Sequence, residues 1–122
     1  MLYLIDIPID GCEKITPNEA CKIMFTEGFV DECPVEHIER DILRPIYVSA
    51  ISRPYIADAF NAIFNLAKHQ QVQVNKIPTK MVAGDQALYL KVNDYNQEND
   101  YILELYELNK IGFEFYHIKI IK

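Results

Sequence analysis

No stretch of this chain approaches the roughly 18 successive apolar residues that a membrane-crossing helix needs, so no transmembrane segment is expected. The opening Met1-Leu2-Tyr3-Leu4-Ile5-Asp6 is apolar, but it lacks a basic stretch and meets an acid at once. It therefore reads as a strand and not as a secretion signal. Cysteine is scarce: Cys12, Cys21 and Cys33 are odd in number and show no short ligand-type spacing. A disulfide framework is disfavoured, and reduced thiols in a cytoplasm are the simpler expectation. Cys21, on a predicted helix, reads as a small buried hydrophobe.

Cations are outnumbered, with 12 Lys and Arg against 18 Asp and Glu for a net charge of −6. General DNA or RNA binding needs a basic surface that displaces counterions from phosphates, and this composition argues against it. A small anionic ligand is still admissible, because a few local cations can serve a pocket on an acidic protein. Internal repeats, low-complexity segments and Gly/Ser linkers are missing. So are the P-loop, the Gly-rich dinucleotide fingerprint, the zinc signatures and the nucleophile elbow. No cofactor and no metal ion is expected.

What is present is an ordinary globular balance, half apolar and one quarter charged, over 122 residues. That length suits one domain, residues 1–122, with a core of its own. Leu2 to Ile7 reads as a buried strand ended by Pro8 and an Asp10-Gly11 turn. Thr16-Pro17-Asn18-Glu19 then carries a helix start, with Thr16 as N-cap, Pro17 in the first turn and Glu19 closing a capping box. The helix runs to about Phe25, with Ala20, Ile23 and Met24 inward and Gly28 as its stop. Val35, Ile38, Ile42 and Leu43 recur at helical spacing within Glu32 to Arg44, which predicts a short amphipathic helix.

Ile46-Tyr47-Val48 reads as a strand that feeds a second helix at Ser52. The stripe Tyr55, Ile56, Ala59, Phe60, Ile63 and Phe64 makes that helix the main packing helix. Short strands are predicted at Val72 to Val74, Thr79 to Val82 and Gln86 to Val92, the last after an Ala83-Gly84-Asp85 turn. Asn93 to Asp100 is a polar loop. Tyr101 to Glu107 and Phe113 to Ile121 fit a β-hairpin, with a short helix within Leu103 to Ile111 as the alternative. The fold class is α/β (α+β), a mixed sheet with helices mainly on one face.

The best candidate for chemistry is the turn Ser49-Ala50-Ile51-Ser52-Arg53-Pro54. A helix start leaves backbone N–H groups without helical partners and carries partial positive charge. Ser49 and Ser52 add hydroxyls, and Arg53 adds a planar donor fork suited to phosphate. The plainer reading is that Ser52 only caps and Arg53 points into water. Asn75-Lys76 offers a second cation, though a lone lysine is usually just solvated. Gly84-Asp85 reads simply as a turn. His37, His69 and His117 are far apart and read as structural. Glu98, Asp100, Glu104 and Glu107 read as a solvated acidic face, with Glu104 and Glu107 as a weak pair of carboxylates.

Several of these residues fall in a recognisable order. Met1-Leu2-Tyr3-Leu4, Ser49-Ala50-Ile51-Ser52-Arg53 with the Ala57 helix, Val74-Asn75-Lys76 and Gly84-Asp85-Gln86-Ala87-Leu88 do so together, with a weaker echo at Gly112-Phe113-Glu114-Phe115. Together they resemble the small α/β proteins of archaeal viruses, bacteriophages and mobile elements that include the viral type III anti-CRISPR ring nucleases. The resemblance implies a homodimer that binds cyclic tetra-adenylate at the subunit interface. It also implies Ser-Ala-Ile-Gly-His at 49 to 53, with the histidine as general acid for phosphodiester cleavage.

This chain has Ser52 and Arg53 there, and Asn75-Lys76 where Asn-Arg is usual. An Arg-x-Pro-Glu-Gly segment is replaced by Val92-Asn93-Asp94-Tyr95-Asn96-Gln97-Glu98, and Glu32 to Pro45 looks inserted. Arginine stays charged and cannot deliver a proton as histidine does, yet it can grip a phosphate bidentately. The expectation is therefore an anti-defence protein, a sponge that sequesters a cyclic nucleotide or other phosphorylated nucleotide signal in the host cytoplasm. Its ligand-binding residues would be Tyr47, Ser49, Ser52, Arg53, Asn75 and Lys76, with Tyr55 and Tyr95 as further stacking candidates. The protein would be a homodimer or a higher homo-oligomer, with no membrane partner. One alternative is a metal-independent ring nuclease using His69 or His117 with Glu98. The other is an interaction module presenting its acidic surface to a basic partner.

Overall fold

The structure is a computed structural model, and it describes residues 1–30, 43–76, 80–93 and 105–121. The predicted helix within Glu32 to Arg44 lies almost wholly outside the described residues; its last residue, Arg44, is paired in a two-stranded sheet. The 93–100 loop, apart from Asn93, lies outside them as well.

Strand β1 (Leu2–Ile5) comes first, then β2 (Glu13–Ile15) and helix α1 (Pro17–Glu27). The α1 start forms as its residues dictate. Thr16 Oγ1 accepts from the Glu19 amide at 3.1 Å, and Glu19 Oε1 accepts from the Thr16 amide at 3.2 Å. Gly28 ends the helix by donating its amide to Met24 O. A Cβ on Gly28 would lie 2.6 Å from that carbonyl, so the close approach requires glycine.

Strands β3 (Phe29–Val30) and β4 (Arg44–Pro45) pair in a small antiparallel sheet. Strand β5 (Val48–Ala50) leads into helix α2 (Pro54–Ile63), and β6 (Gln86–Val92), helix α3 (Leu105–Ile111) and β7 (Phe113–Lys119) complete the chain. The main sheet has the order β2-β7-β6-β1-β5. Strand β1 runs parallel to both β5 and β6, while β7 is antiparallel to β6 and to β2.

Alternation along the strands divides the apolar residues between two faces. Leu2, Leu4, Leu88, Leu90 and Phe115 join Ala20 and Met24 of α1, Ile56 and Phe60 of α2, and Leu108 of α3 in the main core. The rings of Phe60, Phe64 and Phe115 pack there with centroids 5.4–6.1 Å apart. The opposite face carries Ile5, Ala87 and Tyr89, flanked by Tyr3, Ile9, Ala50, Met81, Tyr116 and Ile118. A mixed α+β sheet with helices on one face is thus the observed architecture.

Local expectations shift in four places. Strand β5 begins at Val48, two residues beyond the expected Ile46. The segment Val72–Val74 is not a strand. It lies along β5, held by Ser49 Oγ donating to Gln73 O at 2.5 Å and by Asn75 Nδ2 donating to Ser49 O at 2.8 Å. These side chains take over the work of a backbone ladder and cover the sheet edge. Residues 80–82 are likewise not strand, because the Val82 amide turns to Asp85 Oδ2 at 2.8 Å. Between the two C-terminal readings, the helix at Leu105–Ile111 is realised. It buries Leu108 completely and is closed by Gly112, whose φ of +88° favours glycine.

Candidate functional site

Where β1 and β5 end side by side, the chain brings Asp6 against the start of α2. Asp6 is only 1 % exposed, and its Oδ2 accepts from the backbone amides of Ser52 and Arg53, each at 3.0 Å. The same oxygen accepts from Ser52 Oγ and from Arg53 Nε, each at 3.3 Å. The anion cradle predicted at this turn is therefore occupied by the protein's own carboxylate. The cap also differs from expectation. Arg53, extended at φ −104° and ψ 119°, is the N-cap in place of Ser52, and Pro54 opens the helix. The Ser52 hydroxyl, one residue before the cap, is turned to Asp6.

The Arg53 guanidinium is fixed on several sides. Besides the Asp6 carboxylate, Nη2 donates to Asp6 O and Nη1 donates to the Tyr55 hydroxyl at 2.9 Å. The guanidinium carbon also sits 5.5 Å from the centre of the Tyr55 ring, within cation–π range. Three nitrogens are thus engaged, while the side chain keeps 37 % of its surface exposed. Tyr55, a stacking candidate by sequence, serves as the platform under Arg53.

Beside this cluster lies a cleft of about 280 Å³ lined by Asp6, Ser52, Asn75 and Lys76, with Ile5, Ile7, Pro8, Ile9, Ala50 and Met81. The structure so gathers Ser52, Asn75 and Lys76 of the predicted set at one cleft, with Arg53 adjoining. Asn75 spends its amide nitrogen on Ser49 O and so braces the wall. Ser49 lies under it, with Oγ donating to Gln73 O and accepting from the Ile51 amide at 3.4 Å. Lys76 is exposed.

Tyr47 is not brought to this cleft. It packs on the helix-covered side, edge-on to Phe29 at 5.7 Å, and its hydroxyl donates to Gln70 O at 2.6 Å. Burial pushes its pKa up to about 12. Tyr95 and Glu98 fall outside the described residues. His69 is exposed on a short 3₁₀ turn, and His117 bonds Gln86 Oε1 at 2.9 Å within the sheet. Neither histidine lines the cleft.

The family model described as STIV B116-like matches residues 10–115. The chain belongs to the STIV B116-like family. Its fold agrees with that of B116 of Sulfolobus turreted icosahedral virus, at a TM-score of 0.63 and 16 % identity, covering 95 % of this chain and 96 % of that one. No curated protein matches the chain.

This STIV B116-like chain holds a second cleft that its sequence does not announce. About 500 Å³ in volume, it lies between the Pro8–Cys12 turn and Tyr89, Lys91 and Tyr116 on the sheet face away from the helices. The only sequence trace of it is the alternation that turns Tyr89 and Tyr116 to one side of their strands. Asp6 was equally hidden, since it meets Arg53 across 47 positions of chain. Cys12 and Cys21 are free thiols. Among the described residues, no group of three His, Cys, Asp or Glu side chains is placed to hold a metal, and no helix is long and apolar enough to cross a membrane.

Proposed function

We propose that this protein is a viral anti-defence protein that binds a cyclic-nucleotide-type second messenger and sequesters it without cleaving it. The observation that carries the reading is the state of Arg53. It stands where the resemblance to the ring nucleases implies a proton-donating histidine, and it is held as a fixed cation by Asp6 and Tyr55. A guanidinium stays protonated at any physiological pH and cannot serve as general acid. It can hold a phosphodiester through its remaining N–H groups, next to the cleft that Ser52 and Lys76 line.

The charge at the cleft supports the same reading. Asp6 offsets Arg53 and fills the start of α2, which leaves the Lys76 ammonium at the cleft for an anion. The carboxylate also orients the guanidinium in advance, which lowers the ordering cost of binding. Membership of a family named after a viral protein supports a viral source. A homodimer fits the sheet face that no described helix covers, where Tyr3, Tyr116 and Ile118 lie only partly buried around Ile5, Ala87 and Tyr89. A soluble protein of the host cytoplasm is the setting such a role requires.

The test is incubation with a panel of radiolabelled cyclic oligonucleotides, followed by denaturation and chromatography. Recovery of intact ligand from the complex is the expected result. Linear products would make the protein a ring nuclease, and absence of binding to every member would favour an interaction module. Arg53→Ala should weaken binding at least tenfold, and unchanged affinity would remove this cleft from consideration.

A further inference from the structure

We infer that residues 72–75 are a strap with two seatings on β5: the latched one observed, and a zipped one in which the segment is a sixth, parallel strand. The device belongs to the fold and holds whether or not the cleft takes a nucleotide. The connection already has the form of a β-α-β unit, since β5 and α2 are followed by a segment that runs along β5 in the same direction. Val72-Gln73-Val74 also has strand composition. One rung of a parallel ladder is in place, with the Asn75 amide donating to Ile51 O at 2.8 Å. On the far side, Asn61 of α2 clamps both backbone groups of Val72. Its Oδ1 accepts from the Val72 amide at 2.6 Å, and its Nδ2 donates to Val72 O at 3.3 Å. Val72 thus turns its backbone to α2 while Gln73 O and the Asn75 amide face β5, which is the alternation of a strand.

Two side chains stand in the next rungs. In the register set by Asn75 and Ile51, a parallel ladder needs the Ile51 amide to donate to Gln73 O and the Gln73 amide to donate to Ser49 O. The Ser49 hydroxyl is inserted in the first of these. It accepts from the Ile51 amide at 3.4 Å and donates to Gln73 O at 2.5 Å. Asn75 Nδ2 occupies the second by donating to Ser49 O at 2.8 Å. Turning the Ser49 side chain away lets Ile51 and Gln73 meet directly, and moving Asn75 Nδ2 off Ser49 O admits the Gln73 amide. Three side-chain bonds, one of them long, are exchanged for two backbone bonds, so the seatings lie close in energy. The exchange reaches the cleft that Asn75 and Lys76 line. Zipping takes Asn75 Nδ2 off β5 and gives the cleft a donor that the latched seating withholds.

Amide hydrogen exchange on the intact protein, followed by nuclear magnetic resonance, reads the two seatings without any ligand. In the parent the Asn75 amide should be protected and the Gln73 amide should exchange about tenfold faster or more, as a local opening not tied to the core. A Gln73 amide as protected as that of Asn75 would overturn the latched seating. Ser49→Ala vacates the first rung and Asn75→Ala the second, so each should slow the Gln73 amide by about tenfold. Ser49→Thr keeps the hydroxyl and should leave the Gln73 rate within about twofold of the parent. The Leu88 amide, in the centre of the sheet, is the internal reference for an intact fold, and either alanine variant suffices if the other does not fold. A Gln73 amide that stays fast in the alanine variants while Leu88 is unchanged would overturn the zipped seating. Either failure leaves the nucleotide reading standing, and a protein that binds no nucleotide leaves the strap standing.

Discussion

Asp6 and Arg53 form a closed pair in which the acid's side chain and its own backbone carbonyl both accept from one guanidinium. The Asp6 carboxylate is almost wholly buried, and the Arg53 side chain is 37 % exposed. The pair fastens the end of β1 to the first turn of α2, because the same carboxylate oxygen also takes the Ser52 and Arg53 amides. A polar group carrying four bonds in this way is a structural joint as well as a neighbour of the cleft.

Asp6→Ala should therefore destabilise the protein by about 2–3 kcal/mol. The figure sits below the ~3–5 kcal/mol of a fully buried pair because water screens the exposed part of Arg53. Asp6→Asn keeps an acceptor for the two amides and should cost less than the alanine variant. Urea unfolding midpoints of the two variants check the order. Equal losses would mean that the carboxylate charge, and not the acceptor geometry, holds the joint.

The capping box at Thr16 gives a smaller, local prediction. Thr16→Ala removes the acceptor for the Glu19 amide and should cost about 1 kcal/mol, with Glu19→Ala costing less. Thermal melts should show a loss of a few degrees for Thr16→Ala. The box has no contact with either cleft, so nucleotide affinity should stay within twofold of the parent.

That box was legible from four consecutive residues because every group it needs lies within one helical turn. The buried faces of β1, β6 and α2 were legible for a similar reason, since period and composition suffice to show them. What escaped the sequence depends on residues far apart in the chain. Glu13–Ile15 carries no strand signal, and it becomes β2 only because β7 offers a ladder to it. Val72–Val74 has strand composition, yet the Ser49 and Asn75 side chains hold it in place of a ladder. The turn predicted as an anion cradle is filled from within the protein. Its occupant, Asp6, could not be seen, because nothing in a strand's alternation says which carboxylate will face which helix start.

Histidine 117 makes the stability depend on acidity. Burial lowers its pKa below the ordinary 6.5, against smaller opposing effects of Glu13 and Glu27. The unfolded chain then binds the proton more readily than the native one. The stability this residue permits is present above pH 6.5 and is lost as the pH falls from there through its native pKa. Unfolding midpoints measured between pH 7.5 and about 5 should fall for the parent protein. In His117→Gln, which still reaches Gln86 with a hydrogen-bonding group, the upper part of that decline should flatten. A decline of equal steepness in both proteins would assign it to the carboxylates instead.

Tyr47 provides the clearest separation between a structural tyrosine and a ligand-binding one. Its hydroxyl bonds Gln70 O and its ring packs against Phe29, on the side of the sheet away from both clefts. Its native pKa of about 12 exceeds the ordinary 10.0, so the native state holds this proton more tightly. The corresponding stability is complete below pH 10 and is lost as the pH rises through 12. Tyr47→Phe removes the donor from Gln70 O and should cost about 1–2 kcal/mol in urea unfolding. Ultraviolet titration of the parent should show one phenol ionising near pH 12 that is absent from Tyr47→Phe. Nucleotide affinity should be unchanged in that variant, and a tenfold loss with the fold intact would return Tyr47 to the binding site.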